Sequence, residues 1–281
     1  MKRVLGLIIV IGVWSIAVFN LVTRSPVTEA RAETQSRPAS MAAAVPENVP
    51  GGVAVATVAP TCANPTPEMI ADCAERAEKV LATTVRLEFH GPSGGIGHAT
   101  VINGRYLVTH NHYPISGEEL SRGGEGLISA VSVFKANGDI ILLKTPLSYF
   151  TVLTVEPEVL VLDFKEYGGI GFFETLGVPS ATMRTWDGLS LRPGSEVAQV
   201  DWDGSTAHVE WTRVAAIHAE GESPYIELDS FVEQGSSGGG VYYVGYHIAN
   251  NWSRLTIREA ETGEIITQFS TAALVTATML P

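Results

Sequence analysis

Cysteine and basic residues are scarce in this sequence. Only 2 cysteines occur in 281 residues, which excludes a domain held by several disulfides and a cysteine-rich metal site. Lys and Arg number 18 against 30 Asp and Glu, which gives a net charge of −12 at pH 7. So acidic a chain is poorly suited to binding nucleic acid or anionic membrane surfaces, and it contains no basic patch or base-stacking motif. No internal repeat is visible, so repeat architectures are excluded as well.

Hydrophobic residues are plentiful and begin at the N-terminus. They make up 45% of the chain, enough for a sizeable core in one domain with appendages. Lys2 and Arg3 precede an apolar run over Val4–Val22, which predicts a secretory signal peptide or a signal anchor within residues 1–32. Ala30–Ala32, of sequence A-R-A, is a cleavage candidate. Both alternatives predict that the rest of the chain is secreted, or anchored to a membrane, outside the cytoplasm.

A Pro- and Ala-rich stretch separates this segment from the remainder of the chain. Residues 33–66 have neither a helical nor a strand period and are typical of an extended linker. The pattern over Pro67–Leu81 predicts a short amphipathic helix. Cys62 and Cys73 could join the linker to this helix by a disulfide in an oxidising compartment, with two free thiols as the alternative.

Two short motifs carry the chemistry. Residues 235–239 read G-S-S-G-G, and residues 108–112, at the end of an apolar strand, read V-T-H-N-H. A serine hydroxyl is a weak nucleophile and needs a base within hydrogen-bond reach. It also needs donors for the oxyanion, which the amides of Gly235 and Ser237 could supply. The motifs and their order resemble the trypsin-like, chymotrypsin-fold serine proteases of clan PA, which implies that Ser237 is the nucleophile.

Two histidines in the upstream motif compete for the role of base. The family pattern places the base three residues after the threonine, which selects His112 over His110. An H-x-H pair could also bind a metal, but no third ligand follows at a recognisable spacing. We therefore expect neither a metal nor a cofactor.

Three carboxylates compete as the acid that orients the base. Asp139 begins D-I-I-L-L-K, which resembles the D-I-A-L-L-K run of the family, but it directly follows an N-G hairpin signal. Glu158 precedes a buried strand and follows an E-P pair, similar to the Asp-Pro before the catalytic strand of HtrA-like proteases. Strand count favours Glu158 as the acid, with Asp139 as the alternative and Asp163 third.

The rest of the chain shows a β pattern in two sets of short strands. The first set spans about residues 83–165 and contains the histidine, and the second spans about residues 190–275 and contains the serine. Together with the resemblance, this predicts an all-β fold of two six-stranded antiparallel barrels with the cleft between them, within a protease domain of residues 67–281.

A third resemblance concerns substrate preference. Gly245–Asn251 resembles the G-x-H-x-A-x-N run of picornavirus-like and potyvirus proteases, and glutamyl endopeptidases also have a histidine here. It implies that His247 binds a Gln or Glu side chain at P1 and that Ala249 keeps the pocket wall open. Phe231 stands at the expected pocket base, which disfavours Arg or Lys at P1. Val232 replaces the threonine that usually serves as a second partner.

The resulting hypothesis is an exported serine endopeptidase that acts on peptides or proteins. The alternative is a protease-like domain without catalysis that binds peptides or proteins at the cell surface. A protease that cleaves only itself or one neighbour is a third possibility.

Overall fold

β-Strands dominate the computed structural model, which describes residues 61–92, 94–110, 128–156, 159–164, 169–221, 223–258, 265–277 and 279. The apolar run and the cleavage candidate lie outside these ranges. Within these ranges, no helix is long and apolar enough to cross a membrane. The described residues all fall within one compact part of the chain, Thr57–Pro281.

The N-terminal half forms one antiparallel sheet. Its alternating and fully buried apolar strands pack their inner side chains into a single core that includes Leu87, Leu107 and Leu162. The strand order is β5-β4-β1-β2-β3-β7-β6. The strands are β1 (Thr84–His90), β2 (Ile96–Ile102), β3 (Tyr106–His110), β4 (Ala130–Lys135), β5 (Ile140–Pro146), β6 (Thr151–Glu156) and β7 (Val159–Asp163).

The C-terminal half closes into a barrel of order β10-β13-β12-β11-β8-β9. Its core includes Val197, Ile226 and Ile248. The strands are β8 (Glu196–Trp202), β9 (Ala207–His218), β10 (Tyr225–Leu228), β11 (Gly240–Tyr243), β12 (Tyr246–Arg258) and β13 (Ile265–Leu274). The N-terminal sheet, called the first unit below, and the C-terminal barrel, called the second unit, together give a chymotrypsin-like two-barrel fold, as predicted.

The first unit differs from the predicted six strands. It is a sheet of seven strands, and a 3₁₀ turn at Leu147–Tyr149 separates β5 from β6. These two strands form the opposite edges of the sheet. The short helix α2 (Phe172–Thr175) follows β7 and packs Phe173 into the core of this unit.

One helix precedes the barrels. Helix α1 (Ile70–Ala82) buries Cys73 and Val80, and its exposed face carries charged residues. Cys62 and Cys73 form a disulfide with a Cα–Cα distance of 5.5 Å, as predicted. The Cys62 amide donates to the Glu196 carboxylate at 3.0 Å, which fixes the disulfide-linked segment to β8.

Removal of this disulfide should lower stability modestly. The bridge closes a loop of 11 residues in sequence separation. For so short a loop, the Cys62→Ser/Cys73→Ser variant should lose about 2–3 kcal/mol of unfolding free energy at most. Urea unfolding of the variant against oxidised wild type measures this effect, and reduced wild type, which also lacks the bridge, is the control. Two titratable thiols in unreduced, denatured wild type would contradict the bridge itself.

Candidate active site

The loop between β10 and β11 contains the predicted nucleophile. Ser236 is fully buried, whereas Ser237 is half-buried. The Ser236 hydroxyl donates to Asp201 and accepts the Trp202 amide at 3.0 Å, so this side chain anchors the loop to β8. Among the described residues, the Ser237 hydroxyl and the amides of Gly235 and Ser237 have no hydrogen-bond partner. The loop therefore offers one hydroxyl and two amides for a ligand.

Two glycines let the loop take this shape. Gly235 has a φ of +107°, and a Cβ added there would lie 2.7 Å from the Trp202 ring. Gly238 has a φ of +80°, and its added Cβ would lie 2.2 Å from both the His98 carbonyl oxygen and the Thr109 hydroxyl. Only glycine combines these dihedral angles with such close approach. The G-S-S-G-G motif is thus required by backbone geometry at both ends.

Gly238→Ala should be severely destabilising. The added methyl group would overlap His98 and Thr109 in addition to straining the backbone, so we expect a loss of more than about 3 kcal/mol and of any activity. Gly204→Ala is the matched control, because Gly204 has a φ of +93° with nothing within 4 Å of its added Cβ. Urea unfolding of both variants separates the overlap from the strain. Equal losses in the two would contradict the close packing of Gly238.

Hydrogen bonds from His98 of β2 and from Asn250 of β12 hold the nucleophile loop against β2 and β3. The His98 amide donates to the Ser237 carbonyl at 2.8 Å. The side-chain amide of Asn250 donates to Val108 O at 3.2 Å and to Gly238 O at 2.8 Å, so it bridges β3 and the loop. Ser237 therefore lies where the nucleophile loop of the second barrel meets strands β2 and β3.

A buried polar cluster supports the loop from inside the second barrel. The Gln199 amide donates to Asn251 at 2.8 Å, and Asn251 donates to the Val200 carbonyl at 2.6 Å. Backbone hydrogen bonds join the Gly238 amide to Asn251 O at 2.9 Å and the Asn251 amide to Gly239 O at 2.8 Å. Since these buried groups are paired, they restrict the loop to one arrangement.

The predicted base and the preferred acid lie outside the described residues. His112 follows the described end of β3 by two positions, and Glu158 directly precedes β7. Strands β3 and β7 are antiparallel neighbours, with His110 paired to Val159. The last residue of β3 and the first residue of β7 therefore lie next to each other, at the same end of the two strands.

The two other carboxylates occupy different places. Asp139 is exposed in the β4–β5 turn, where its carboxylate accepts the Asn137 side-chain amide at 3.0 Å. Strands β1 and β2 lie between this hairpin and β3. Asp163 is buried and paired with Arg105. It is also opposite Tyr106, at the other end of β3 from His110, about 13 Å away along the strand.

The predicted P1 residues are fully buried. His247 and Ala249 are each 0% exposed. The His247 ring packs on Tyr242 with a centroid distance of 5.5 Å, and its amide donates to Thr182 O at 3.0 Å. Ala249 belongs to the core of the second barrel. Because a substrate side chain must reach the residues that bind it, this burial gives no support to a P1 role for either residue.

Two buried histidines should make folding stability fall in mild acid. Burial lowers the pKa of His98 and of His247 to about 4 each. Between pH 6.5 and about 4 the unfolded chain therefore binds more protons, so stability falls as pH falls through this window. Each imidazole should account for roughly 2 kcal/mol of lost unfolding free energy at pH 5. His247→Gln should reduce the difference between pH 7 and pH 5 by that amount in urea titrations. Identical pH dependence in wild type and variant would contradict the burial.

Several residues that shape the site were not singled out by sequence patterns. Asp201, Trp202 and Asn250 contact the nucleophile loop from strands β8 and β12. Their partners lie 12 to 35 positions away along the chain, so no local motif marks them. Within the described ranges, no three His, Cys, Asp or Glu side chains group as metal ligands.

Comparisons with known proteins place the fold beside serine proteases of the HtrA type. No protein-family model matches the chain. No curated protein matches its sequence either.

An HtrA-type protease, AlgW with a tripeptide, has a TM-score of 0.49 and 16% identity over 72% of this chain and 59% of that chain. The Rv3671c protease from M. tuberculosis, in an active form, has a TM-score of 0.48 and 15% identity over 76% of this chain and 83% of that chain. Deg5 has a TM-score of 0.49 and 18% identity over 67% of this chain and 87% of that chain. Thus this chain spans 59% of the AlgW chain it matches. Similarity at this level does not assign an activity.

Proposed function

We propose that this protein is an exported serine endopeptidase that hydrolyses peptide bonds through an acyl-enzyme. In this proposal, Ser237 Oγ attacks the substrate carbonyl carbon while His112 accepts the hydroxyl proton. The Gly235 and Ser237 amides stabilise the resulting oxyanion. His112 then passes the proton to the leaving amine, and water releases the acyl group by the same steps in reverse. Glu158 holds the imidazole in the productive tautomer.

The position of Ser237 is the observation that carries this proposal. Its carbonyl accepts the His98 amide of β2 at 2.8 Å. An added Cβ on the next residue, Gly238, would lie 3.1 Å from the His110 amide. The half-buried serine is therefore next to the end of β3, and His112 follows His110 by two residues in the sequence. The proposal assigns the base to the segment that follows β3, because nucleophilic catalysis requires a base within hydrogen-bond reach of the hydroxyl.

Strand pairing favours Glu158 as the acid over the two alternatives. His110, the last residue of β3, is paired with Val159, the first residue of β7, and Glu158 directly precedes Val159 in the sequence. Strands β1 and β2 separate the Asp139 hairpin from β3, and Asp163 already pairs with Arg105. A glutamate reaches one methylene further than an aspartate, which suits an acid on the neighbouring strand.

Unpaired amides support the proposed oxyanion site. In the described part of the chain, the N–H groups of Gly235 and Ser237 lack acceptors, while the carbonyls of these residues are both bonded to His98. Such preorganised donors can stabilise negative charge without reorganising during the reaction.

The proposal of export rests on the N-terminal segment and the disulfide. Residues 1–32 have the charge and hydropathy of a signal or an anchor. The Cys62–Cys73 bridge is stable in oxidising compartments and uncommon in the reducing cytosol. Gln or Glu selection at P1 is not part of the proposal, because His247 is buried.

Digestion of a P1-varied peptide library tests the activity. Purified wild type should release fragments whose termini define a P1 profile, and Ser237→Ala should release none. His247→Ala, if it folds, should leave that profile unchanged. A folded wild type that binds library peptides without cleaving them would instead establish the non-catalytic binding domain.

A further inference from the structure

His98 makes two separate hydrogen bonds to the nucleophile loop. Its backbone amide donates to the Ser237 carbonyl at 2.8 Å, and its ring Nδ1 is 3.0 Å from the Gly235 carbonyl oxygen. These carbonyls flank Ser236. One residue of the first unit thus contacts the loop on both sides of the buried serine.

The Gly235 carbonyl is significant because of the peptide group to which it belongs. The two proposed oxyanion donors are the Gly235 and Ser237 amides, and the Gly235–Ser236 peptide lies between them. If that peptide rotated, the directions of the neighbouring amides would change with it. Gly235, with a φ of +107° and no side chain, has the conformational freedom for such a rotation. Something must therefore hold this peptide in place.

Contacts from β8 hold the other end of this peptide. Ser236 Oγ donates to Asp201 and accepts the Trp202 amide. The Trp202 ring lies close to Gly235, since a Cβ added to this glycine would lie 2.7 Å from it. The centroids of the Trp202 and His98 rings are 5.3 Å apart. The Gly235 carbonyl itself has His98 Nδ1 as its only hydrogen-bond partner in the described ranges. The Ser236 amide of the same planar peptide donates to the Glu233 carbonyl at 3.2 Å. The His98 ring is the contact from the first sheet that, together with this bond, sets the direction of the Gly235 carbonyl.

The chemical state of the ring follows from its surroundings. His98 is 0% exposed, and burial together with the nearby Arg86 of β1 lowers its pKa, while the Gly235 carbonyl and Asp201 of β8 oppose this shift. The ring is neutral at pH 7. Since a carbonyl oxygen only accepts hydrogen bonds, Nδ1 must carry the proton. Nε2, which then carries none, has no partner among the described residues.

We propose that His98 is a positioning residue of the active site, whose Nδ1–H holds the Gly235–Ser236 peptide so that the Gly235 and Ser237 amides face the oxyanion. The role rests on the proposed peptidase function and extends it to a residue outside the triad. His98 touches no reacting atom. It acts on the transition state through the loop, so its loss should lower kcat and leave KM nearly unchanged.

Three variants test this role in the full-length protein with a peptide ester substrate. His98→Leu removes the donor and should lower kcat about 100-fold, the lower end of the effect of one oxyanion donor, with KM within about 3-fold. His98→Asn offers an amide N–H near the Nδ1 position and should keep kcat within about 10-fold of wild type. His90→Leu is the control, because the His90 ring bonds Ser132 at 2.7 Å in the first sheet and should leave kcat unchanged. Wild-type kcat in His98→Leu, equal losses in the Leu and Asn variants, or a loss confined to KM would overturn the proposal.

A measurement of the ring itself does not depend on activity or on variant folding. Nitrogen-15 NMR of wild type and of Ser237→Ala at pH 7 should show His98 neutral, with a slowly exchanging proton on Nδ1. A charged ring, or a proton on Nε2, would overturn the contact. A wild type that shows the Nδ1 proton but neither turns over ester nor reacts with a fluorophosphonate would overturn the peptidase function, and the catalytic role of His98 with it.

Discussion

Ser237→Ala is expected to abolish peptide hydrolysis, with kcat falling by at least about 10⁵-fold, and His112→Ala should do the same. Among the described serines of this loop, Ser237 alone has an accessible hydroxyl, because Ser230 and Ser236 are buried and bonded to other side chains. Without the base, this hydroxyl stays protonated and unreactive. Steady-state kinetics on a peptide ester measure both losses.

The double variant Ser237→Ala/His112→Ala should be no slower than either single variant. Members of a triad act as a unit, so their losses do not add. Ser205→Ala is a suitable control, because Ser205 lies in the exposed β8–β9 turn, where it bonds Asp203 at 2.8 Å, and the change should leave kcat as in wild type. Full activity in His112→Ala combined with loss in His110→Ala would show that His110 is the base.

Glu158→Gln should lower kcat on the order of 10⁴-fold, whereas Asp139→Asn and Asp163→Asn should not. An amide in place of the orienting carboxylate keeps the shape of the side chain but favours the wrong imidazole tautomer, so the base can no longer accept the serine proton. Asp139 is exposed in a turn that β1 and β2 separate from β3. Its replacement by asparagine should therefore change kcat by less than about 3-fold.

Stability measurements keep the three acid variants comparable. Asp163→Asn weakens a buried pair with Arg105 and should lower the midpoint of urea unfolding without a matching loss of kcat in the folded fraction. An inactive but stable Asp139→Asn, with Glu158→Gln active, would reverse the assignment of the acid.

Local sequence patterns were sufficient where the signal lies within a few residues. The N-G pair predicts the β4–β5 hairpin, and the structure has Gly138 at a φ of +92° with its amide bonded to Lys135 O at 2.9 Å. Two cysteines close together in a chain that is expected to be exported predict the Cys62–Cys73 bridge, which the structure contains. The turn at Val244-Gly245 was missed, because Val244 has a φ of +50°, a conformation that β-branched residues rarely adopt.

The details of the site depend on contacts that local patterns do not encode. His98 has no motif, and its ring reaches Gly235 across 137 positions of the chain. Asn250 bridges β3 and the nucleophile loop, with Val108 at a separation of 142 positions. His247 lies in a matching local motif and is 0% exposed in the structure, so its P1 role stays a prediction. Burial and long-range pairing are properties of the assembled barrels.

Mapping of a fluorophosphonate adduct tests the central claim most directly. The probe phosphonylates only a serine that is activated by a base and an oxyanion site. Wild type at about pH 7.5, where a free imidazole is neutral and can accept a proton, should gain one adduct per chain. Peptide mass spectrometry should locate it on Ser237 and not on Ser236, and His112→Ala should gain none. A folded wild type that stays unlabelled, or that carries the adduct on another residue, would contradict the assignment of this site as that of a serine peptidase.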